Sequence, residues 1–409
     1  MSSGASNGNN DFVSKLRQPS LLPRVMDYVR WQQTLRKAVR DGRPLPDMAT
    51  QGPVSINLDL TTSCNFRCPH CIDIDVLNGP TRHNADELAS SIKNLAARGL
   101  KSAILIGGGE PTLYPKFGEV VSLLKSLGLQ VAVVSNGSRL EVVYNSFDQF
   151  AAHDWVRFSL DAATNGTFLE MHLPRKPITL DQICGWVPKL RAKNPLPLIG
   201  FSFVIAWQGA HQHNANITEN IHEIIGATKR ARDFGFSYIS LKPFLVRQPN
   251  GAEVMDPKAM DRFQATMKRI DDAIEEAKSY ETDCFKVAVS VNLAALESGA
   301  WRNYTRQPRT CHKQAFQQVL SPLGLFNCPA HRGVAKARIA DKDAYATNEA
   351  CAQTQALTTE ILNRFDASKE CAEVTCFYNK MNWWIENTIE GRLDPETQEL
   401  LSEQHNYYF

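Results

Sequence analysis

The chain has 409 residues, with 45 Lys and Arg against 43 Asp and Glu, and a formal net charge of +2. This length exceeds what one simple core needs and predicts two or three structural units. The near-balanced charge gives no support for a nucleic-acid-binding surface. No run approaches the roughly 18 apolar residues that a membrane-spanning helix requires. Residues 1–10 are rich in Ser, Gly and Asn and lack the features of a signal peptide, so we expect a flexible tail and a cytoplasmic protein.

A basic amphipathic helix is predicted over residues 23–41, followed by a Pro- and Gly-rich linker over 42–53. Strands and helices then alternate, which is typical of a parallel sheet with helices outside it. Six such units predict an α/β fold, a partial (β/α)6 TIM-like barrel that is open on one side. The predicted strands are 54–60, 103–106, 130–135, 156–160, 199–205 and 238–242, and the helices are 86–98, 117–127, 140–151, 180–192, 217–234 and 257–278.

The pattern changes after residue 282, where a strand over 286–291 and a short helix over 293–301 precede a cysteine-rich stretch. The sequence therefore predicts three parts. Residues 1–53 form a tail and an amphipathic helix, residues 54–282 form the partial barrel, and residues 283–409 form a small C-terminal iron–sulfur auxiliary domain with a C-terminal helix.

Three of the ten cysteines, Cys64, Cys68 and Cys71, lie in one short loop with the spacing C-x3-C-x2-C. Three thiolates this close can hold three corners of a cubic iron–sulfur cluster. A metal centre that lacks one protein ligand keeps a position open for a small molecule. The alternative is a structural zinc site in which His70 supplies the fourth ligand.

Polar and glycine-rich motifs follow the next three predicted strands, where sites in such folds collect. They are Gly108-Gly109-Glu110-Pro111, Asn136-Gly137 and Ser159-Leu160-Asp161. Together with the cysteine loop, they resemble the radical S-adenosylmethionine (radical SAM) superfamily, and the resemblance covers residues 54–244. Each later motif is weak alone, because turns and helix caps use the same residues, but four at successive strand ends are specific.

The resemblance implies a 4Fe–4S cluster on Cys64, Cys68 and Cys71 whose fourth iron binds SAM. Reductive cleavage of SAM would give a 5′-deoxyadenosyl radical, with an electron supplied by a reductase, flavodoxin or ferredoxin. Around SAM, Gly108, Gly109, Glu110 and Pro111 would hold the methionine end and His70 would stack on adenine. Asn136 belongs to the same cofactor site, and Ser159 or Asp161 would bind the ribose or the substrate.

The late cysteines resemble the auxiliary-cluster extension called twitch, or its longer relative SPASM. The implied ligands of a second 4Fe–4S cluster are Cys311, Cys328, Cys371 and Cys376, with Gly324 four residues before Cys328. Cys351 replaces one of these ligands, stays free, or donates a hydrogen atom to a product radical. Zinc or scattered free thiols remain the alternative.

Two basic residues near strand ends, Lys242 and Arg175, are candidate catalytic residues, with surface charge or a structural ion pair as the alternative. The function expected from the resemblance is hydrogen abstraction from a sugar, nucleoside or cyclitol. The outcome would be dehydrogenation, dehydration, decarboxylation or epimerisation in natural-product biosynthesis. A peptide- or protein-modifying maturase is the second hypothesis, and a nucleic-acid-modifying enzyme is the third.

Overall fold

The computed structural model describes residues 11–47, 51–212, 215–248, 251–255, 257, 260, 262–395, 398 and 401–409. The tail predicted for residues 1–10 and residues 48–50 of the predicted linker therefore lie outside the described residues. No described helix combines the length and the apolar character needed to cross a membrane.

The strands of the barrel belong to one sheet. In the described residues it has ten strands in the order β7-β6-β5-β4-β3-β2-β1-β8-β9-β10. In this spatial order the first eight strands, from β7 at one edge to β8 beside β1, are parallel to their neighbours. The last two pairs, β8 with β9 and β9 with β10, are antiparallel. The strands are β1 Ser55–Leu58, β2 Ser102–Leu105, β3 Gln130–Ser135, β4 Trp155–Ser159, β5 Leu198–Ile205, β6 Tyr238–Pro243, β7 Lys286–Val289, β8 Gln317–Ser321, β9 Gly324–Phe326 and β10 Arg338–Ala340.

Helices connect the parallel strands and bury their apolar faces against the sheet, which confirms the predicted α/β partial barrel. They begin and end at local signals. The Asn84 side chain caps the N-terminus of α3, and Thr179 and Gln182 form a capping box at α7. The helices are α1 Phe12–Leu16, α2 Leu22–Arg40, α3 Ala85–Ala97, α4 Phe117–Ser126, α5 Leu140–Ser146, α6 Asn165–His172, α7 Leu180–Cys184, α8 Val187–Lys193, α9 Ile224–Asp233, α10 Phe263–Lys278, α11 Val291–Glu297, α12 Trp301–Thr305, α13 Asn348–Arg364, α14 Ala367–Glu370 and α15 Asn379–Ile389.

The sheet extends further than the six predicted strands on both sides. On one side, β7 continues the parallel order beyond β6. On the other, β8 pairs with β1 in the register Ser55↔Gln317 to Leu58↔Leu320. Local periodicity cannot reveal a pairing between strands more than 250 residues apart, which is decided by packing. Strands from both sides of the predicted boundary at residue 283 belong to this one sheet. The sheet therefore does not mark that boundary, and the division into three parts stays a prediction.

The ends of the described chain pack beside and beneath the barrel. Helix α2 buries Val25, Tyr28 and Val29 in a cluster shared with α15. Tyr408 lies in a small cluster with Ile104 and Ala132, near the N-terminal ends of β2 and β3. The strand C-termini, with the cysteine loop, form the opposite end, which we call the barrel mouth.

Candidate metal centres at the barrel mouth

The loop that carries Cys64, Cys68 and Cys71 follows β1 at the barrel mouth, and all three side chains are partly exposed. Neighbouring elements fix its backbone. The Cys64 amide donates to Asn78 Oδ1 at 3.0 Å, and Gln212 Nε2 donates to the Cys71 carbonyl at 2.7 Å. Burial raises the pKa of all three thiols, that of Cys71 to about 12. Because a thiol must lose its proton to bind a metal, a bound cation is what would stabilise these groups as thiolates.

The glycine loop after β2 lies directly against the start of the cysteine loop. The Glu110 amide donates to the Ser63 carbonyl at 2.8 Å. A Cβ at Gly109 would lie 2.5 Å from the Thr61 carbonyl oxygen, so no side chain fits there. Gly108 has φ +66°, a conformation that favours glycine. The two loops therefore approach each other at backbone distance. The side chains of Asp59, Asp73 and Arg332 lie against Gly107 and Gly108, and we call this glycine loop the glycine cradle.

The Glu110 side chain forms hydrogen bonds within the protein. Its buried carboxylate accepts hydrogen bonds from the Thr112 amide at 3.0 Å, the Ser135 hydroxyl at 2.8 Å and the Asn136 amide at 2.7 Å. It thereby ties the loop after β2 to the loop after β3, and Pro111 begins a 3-10 turn beside it. Its predicted cofactor contact can come only from its backbone while these bonds persist, and that contact stays a prediction.

Asn136 adjoins the first cysteine. Its Nδ2 lies 4.0 Å from Cys64 Sγ and donates to Asn65 Oδ1 at 3.0 Å, while its Oδ1 accepts from the Ser138 amide at 2.9 Å. Both the nitrogen and the oxygen of the Asn136 side-chain amide are therefore held by hydrogen bonds. Because it is fixed in this way, Asn136 can orient the cysteine loop.

Asp161 forms a buried network with two histidines. Its Oδ2 accepts from His70 Nε2 at 3.0 Å, and its Oδ1 accepts from the Val204 amide at 2.7 Å. His172 donates from Nε2 to the Leu160 carbonyl at 2.9 Å, which leaves its Nδ1 3.2 Å from Cys68 Sγ. Burial alone would raise the pKa of Asp161, but the hydrogen bond from His70 and the two histidines lower it. Sequence reasoning missed His172, because a histidine at the end of α6 carries no motif.

The spacing of the thiols distinguishes two kinds of metal site. Tetrahedral zinc at about 2.3 Å from four sulfurs places those sulfurs about 3.8 Å apart. Among the described residues, the one group of three ligand atoms within 4.8 Å of one another belongs to Cys68, His70 and His172. No three thiols meet so closely. At least one distance between the three sulfurs of the cysteine loop therefore exceeds 4.8 Å, which fits the wider span of a cluster of several irons better than a compact zinc site.

Four late cysteines, Cys311, Cys328, Cys371 and Cys376, come together in the C-terminal part of the chain. The pKa of Cys371 is raised well above its ordinary value by burial and then by the charges of the other three. Burial and Cys328 likewise raise the pKa of Cys311 to about 11. Only groups that lie near one another interact in this way. The structure therefore gathers the predicted set from three segments, one with Cys311, one with Cys328 and one with Cys371 and Cys376.

A lysine that the sequence reasoning did not single out lies among these four thiols. The Lys313 side chain is fully buried, donates to the Asn327 carbonyl at 3.0 Å and lies 5.1 Å from the centre of the Tyr378 ring. Burial lowers the pKa of Lys313, whereas Cys328, Cys311 and Cys376 raise it. Its position two residues after Cys311 is the only signal in the sequence, and it says nothing about burial.

The three candidate catalytic residues lie in three different places. Cys351 is buried in α13, where its thiol lies 3.7 Å from the Tyr345 carbonyl oxygen. Arg175 is exposed beside the cysteine loop and its charge lowers the pKa of Cys64, although burial dominates that pKa. Lys242 lies on β6, where its Nζ donates to Ser202 Oγ at 3.1 Å. The structure therefore does not bring these three residues together, and their predicted roles remain untested.

A buried arginine joins the two cysteine regions. Arg332, four residues after Cys328, forms ion pairs with Asp59 at 2.6 Å and with Asp73 at 2.7 Å. Asp59 follows β1 and Asp73 follows Cys71, so both carboxylates belong to the barrel mouth. Burial raises the pKa of Asp59 to about 8, against the opposing effect of Arg332. No motif marked this bridge, because its partners are separated by more than 250 residues.

Residues 58–194 match the radical SAM superfamily. Over 108 residues the chain is 31% identical to a protein of a Thermoplasmatales archaeon named S-adenosylmethionine-dependent nucleotide dehydratase. The match covers 26% of this chain and 38% of that protein. A protein of the same name from Selenomonas ruminantium is 26% identical over 159 residues, which is 37% of this chain and 56% of the relative. The chain thus spans roughly two fifths to just over half of the length of these relatives.

A third relative is the mycofactocin maturase MftC of Mycobacterium tuberculosis, 30% identical over 129 residues, or 30% of this chain and 32% of the relative. Solved structures share the fold at low identity. SuiB of Streptococcus suis superimposes with a TM-score of 0.55 at 12% identity, over 74% of this chain and 66% of SuiB.

A structure of anSMEcpe with bound AdoMet gives a TM-score of 0.52 at 14% identity, over 83% of this chain and 97% of that one. The four motifs, the sheet order and these matches agree. Residues 58–194 therefore form a radical SAM domain, and the enzymes of that superfamily use a 4Fe–4S cluster and SAM.

Proposed function

We propose that this protein reductively cleaves SAM at a 4Fe–4S cluster on Cys64, Cys68 and Cys71 and abstracts a hydrogen atom from a polar small molecule. The observation that carries the proposal is the arrangement at the barrel mouth. The loop that carries the three thiols packs against the backbone of Gly109, and at least one of the sulfur–sulfur distances in it exceeds 4.8 Å. The superfamily match over residues 58–194 supports the same reading.

When bound, the cluster and SAM supply an electron and a 5′-deoxyadenosyl radical. The protein's part is to bind, orient and shield these groups. Backbone groups of Gly107 and Gly109 would contact the methionine end of SAM, whereas the Gly108 amide already donates to Asp73 Oδ2 at 3.2 Å. Asn136 adjoins Cys64, and His172 adjoins Cys68. His70 is oriented by Asp161 and keeps its Nδ1 free of hydrogen bonds, which suits a contact with SAM.

A sugar, nucleoside or cyclitol is the substrate class that we favour. Charged and hydroxyl side chains, among them Ser202 on β5 and Lys242 on β6, lie on the strands that form the barrel mouth. Two relatives are named nucleotide dehydratases, which favours a nucleoside or nucleotide substrate and dehydration among the possible outcomes. Dehydrogenation, decarboxylation and epimerisation remain the other outcomes of the same hydrogen abstraction.

Peptide or protein modification is the second candidate. One relative is named a mycofactocin maturase, and SuiB, which shares the fold, has been solved with its precursor peptide SuiA. The two candidates differ in substrate size, so they are separable by adding nucleotides or candidate peptides to the reconstituted enzyme and following substrate-dependent 5′-deoxyadenosine formation.

We also propose a second 4Fe–4S cluster on Cys311, Cys328, Cys371 and Cys376. The mutual effects of these thiols on their pKa values support the set. Four protein ligands leave no open position, so this cluster suits electron transfer better than substrate binding. A flavodoxin, ferredoxin or reductase would deliver the electrons.

The test is anaerobic reconstitution with iron and sulfide, followed by addition of SAM and dithionite. The wild-type protein should release 5′-deoxyadenosine and hold about eight irons, the content of two 4Fe–4S clusters. The Cys64/Cys68/Cys71→Ala variant should make no 5′-deoxyadenosine and keep about four irons. Cys284→Ala, at an exposed cysteine, is the matched control. An iron-loaded wild-type protein that never cleaves SAM would refute the proposal.

A further inference from the structure

Two basic side chains face the interior of the barrel from neighbouring strands. On β4, Val156 and Phe158 are fully buried on the helix side of the sheet, so Arg157 between them points the other way. Arg157 pairs with Gly200 on β5, which pairs with Tyr238 on β6, so these three residues lie on the same, interior face of the sheet. Lys242, four residues after Tyr238, lies on the same face of β6.

In the described part of the chain no carboxylate pairs with either of these cations, although Arg157 hydrogen-bonds the Tyr238 side chain. Arg157 Nε is buried without a hydrogen-bond partner. Lys242 has one partner, the Ser202 hydroxyl at 3.1 Å. Asp161 is the carboxylate that acts on Lys242 electrostatically, but its oxygens already accept from His70 and from the Val204 amide.

The surroundings make this charge arrangement unfavourable in the absence of a ligand. Burial lowers the pKa of Lys242 well below its ordinary value, and the charge of Arg157 lowers it further. Both side chains are only partly exposed, and two like charges held close together in such surroundings are stabilised by opposite charge. Proteins tolerate such an arrangement mainly at functional sites, where a ligand supplies that charge.

Uncharged side chains complete one wall of the site. Ser202 and Ser240 pair with each other across β5 and β6 on the same face as the two cations. The Tyr238 ring covers Gly200, where a Cβ would lie 2.3 Å from a ring carbon. Arg157 also lies 5.3 Å from the centre of the Trp155 ring. The wall thus offers hydroxyl donors and two fixed cations, a combination suited to anionic oxygens.

We propose that Arg157 and Lys242, assisted by Ser202 and Ser240, bind an anionic oxygen group of the substrate, a phosphate or a carboxylate. The inference rests on the proposed function in one respect, that the substrate enters this barrel. It narrows the substrate from a polar small molecule to one that carries an acidic group. The glycine cradle lies at β2, two strands away from β4, so the site is separate from the proposed position of the SAM carboxylate.

The test measures anion binding on the reconstituted holoenzyme with SAM present and no reductant. Inorganic phosphate, pyrophosphate and acetate serve as probes in calorimetric titrations, and phosphorus NMR checks the first two. The wild-type protein should bind at least one probe. Tighter binding of the phosphate probes than of acetate assigns a phosphorylated substrate, and the reverse assigns a carboxylic acid.

Arg157→Met and Lys242→Met should each weaken probe binding at least tenfold while SAM affinity changes less than twofold. Arg157→Lys and Lys242→Arg should retain most of the binding, which separates loss of charge from loss of folding. Lys268→Met is the matched control, because Lys268 is exposed on α10 and paired with Asp272.

Three results would overturn the inference: no probe binding by the wild-type protein, probe binding unchanged in both methionine variants, or a loss of SAM affinity as large as the loss of probe binding. The last would assign the two cations to SAM. The same preparations are assayed for 5′-deoxyadenosine after dithionite is added. Charge-dependent probe binding in a protein that never cleaves SAM would refute the proposed function and leave the anion site standing.

Discussion

The two cysteine regions differ in the charges that surround them. Around the first, carboxylates act on the thiols: Glu110 on Cys64, Asp161 on Cys68 and Asp73 on Cys71. Arg175 and Arg332 offset part of this effect. Around the second, lysines act on the thiols, Lys313 on Cys311 and Cys376 and Lys336 on Cys371.

This difference matches the two proposed roles. A site that receives the positively charged sulfonium of SAM is helped by nearby carboxylates, whereas a fully ligated cluster with four thiolates carries net negative charge and is stabilised by buried ammonium groups. The first region also adjoins the glycine loop, where Gly109 lies against the backbone of Thr61 and Ser63. The second is enclosed by side chains such as Tyr378 and Asn382.

The largest expected effect is loss of the second cluster in Cys376→Ala. This variant should lose about four of eight irons, the content of one 4Fe–4S cluster, because three thiolates without a cradle do not retain it well. Cys351→Ala is the control and should keep all of them, since Cys351 lies apart in α13. Iron and sulfide analysis after reconstitution checks both. Equal iron loss in the two variants would mean that the ligand set is wrong.

The next effect concerns the bridge between the two regions. Arg332→Met leaves Asp59 and Asp73 buried without their common partner, so it should lower the free energy of unfolding by about 3–5 kcal/mol. Denaturant titration of the reconstituted protein measures this. Arg338→Met removes an exposed pair with Asp341 and should change stability by less than about 0.5 kcal/mol. A similarly small effect at Arg332 would show that the bridge is dispensable.

Lys313→Met sharpens the electrostatic comparison. Reduction adds negative charge to a cluster, and a nearby ammonium favours that state. Removing it should make the midpoint potential of the second centre more negative by tens of millivolts, on the order expected for one charge at a protein-like effective dielectric. Redox titration monitored by electron paramagnetic resonance resolves the two centres. The first centre should be unaffected, and Lys313→Arg should preserve the potential. An unchanged midpoint potential of the second cluster in Lys313→Met would show that the Lys313 charge does not act on that cluster.

The smallest effect concerns the attachment of the N-terminal helix α2 to the second region. Glu386 pairs with Arg36 at 2.7 Å and with His312 at 2.7 Å. Burial raises the pKa of Glu386, but these two partners outweigh it and lower that pKa to about 2. The contribution of ionised Glu386 to the free energy of unfolding is therefore complete above its unfolded pKa of about 4.5 and is lost as the pH falls toward 2.

Between about pH 5 and about pH 3 the wild-type free energy of unfolding should fall by about 1 kcal/mol more than that of Glu386→Gln, a value reduced for partial solvent screening. Denaturant titrations at several pH values measure the difference. Parallel pH dependence in the two proteins would indicate that Glu386 has the same pKa when folded and unfolded.

Much of the barrel was predictable because its signals are local. Strand periodicity, the glycine after α3 and the capping residues each act within one element. The predictions were wrong or incomplete where contacts between distant segments, and not local signals, decide the structure. Residues 180–192, predicted as one helix, form α7 and α8 with Gly185 and Trp186 between them. Strand β7 pairs with β6 although the sequence pattern changes just before it.

The sequence by itself determined the superfamily, the order of the first six strands and the two groups of cysteines, because motif spacing and hydrophobic periodicity are written in consecutive residues. Only the tertiary structure decided what surrounds those cysteines. The hydrogen bonds of Glu110, the His172 contact with Cys68, the buried Lys313 and the Arg332 bridge all join distant segments. The fold also places Arg157 and Lys242 on one face of the sheet. Their charges acquire chemical meaning only after burial removes water, and burial is a property of the folded chain.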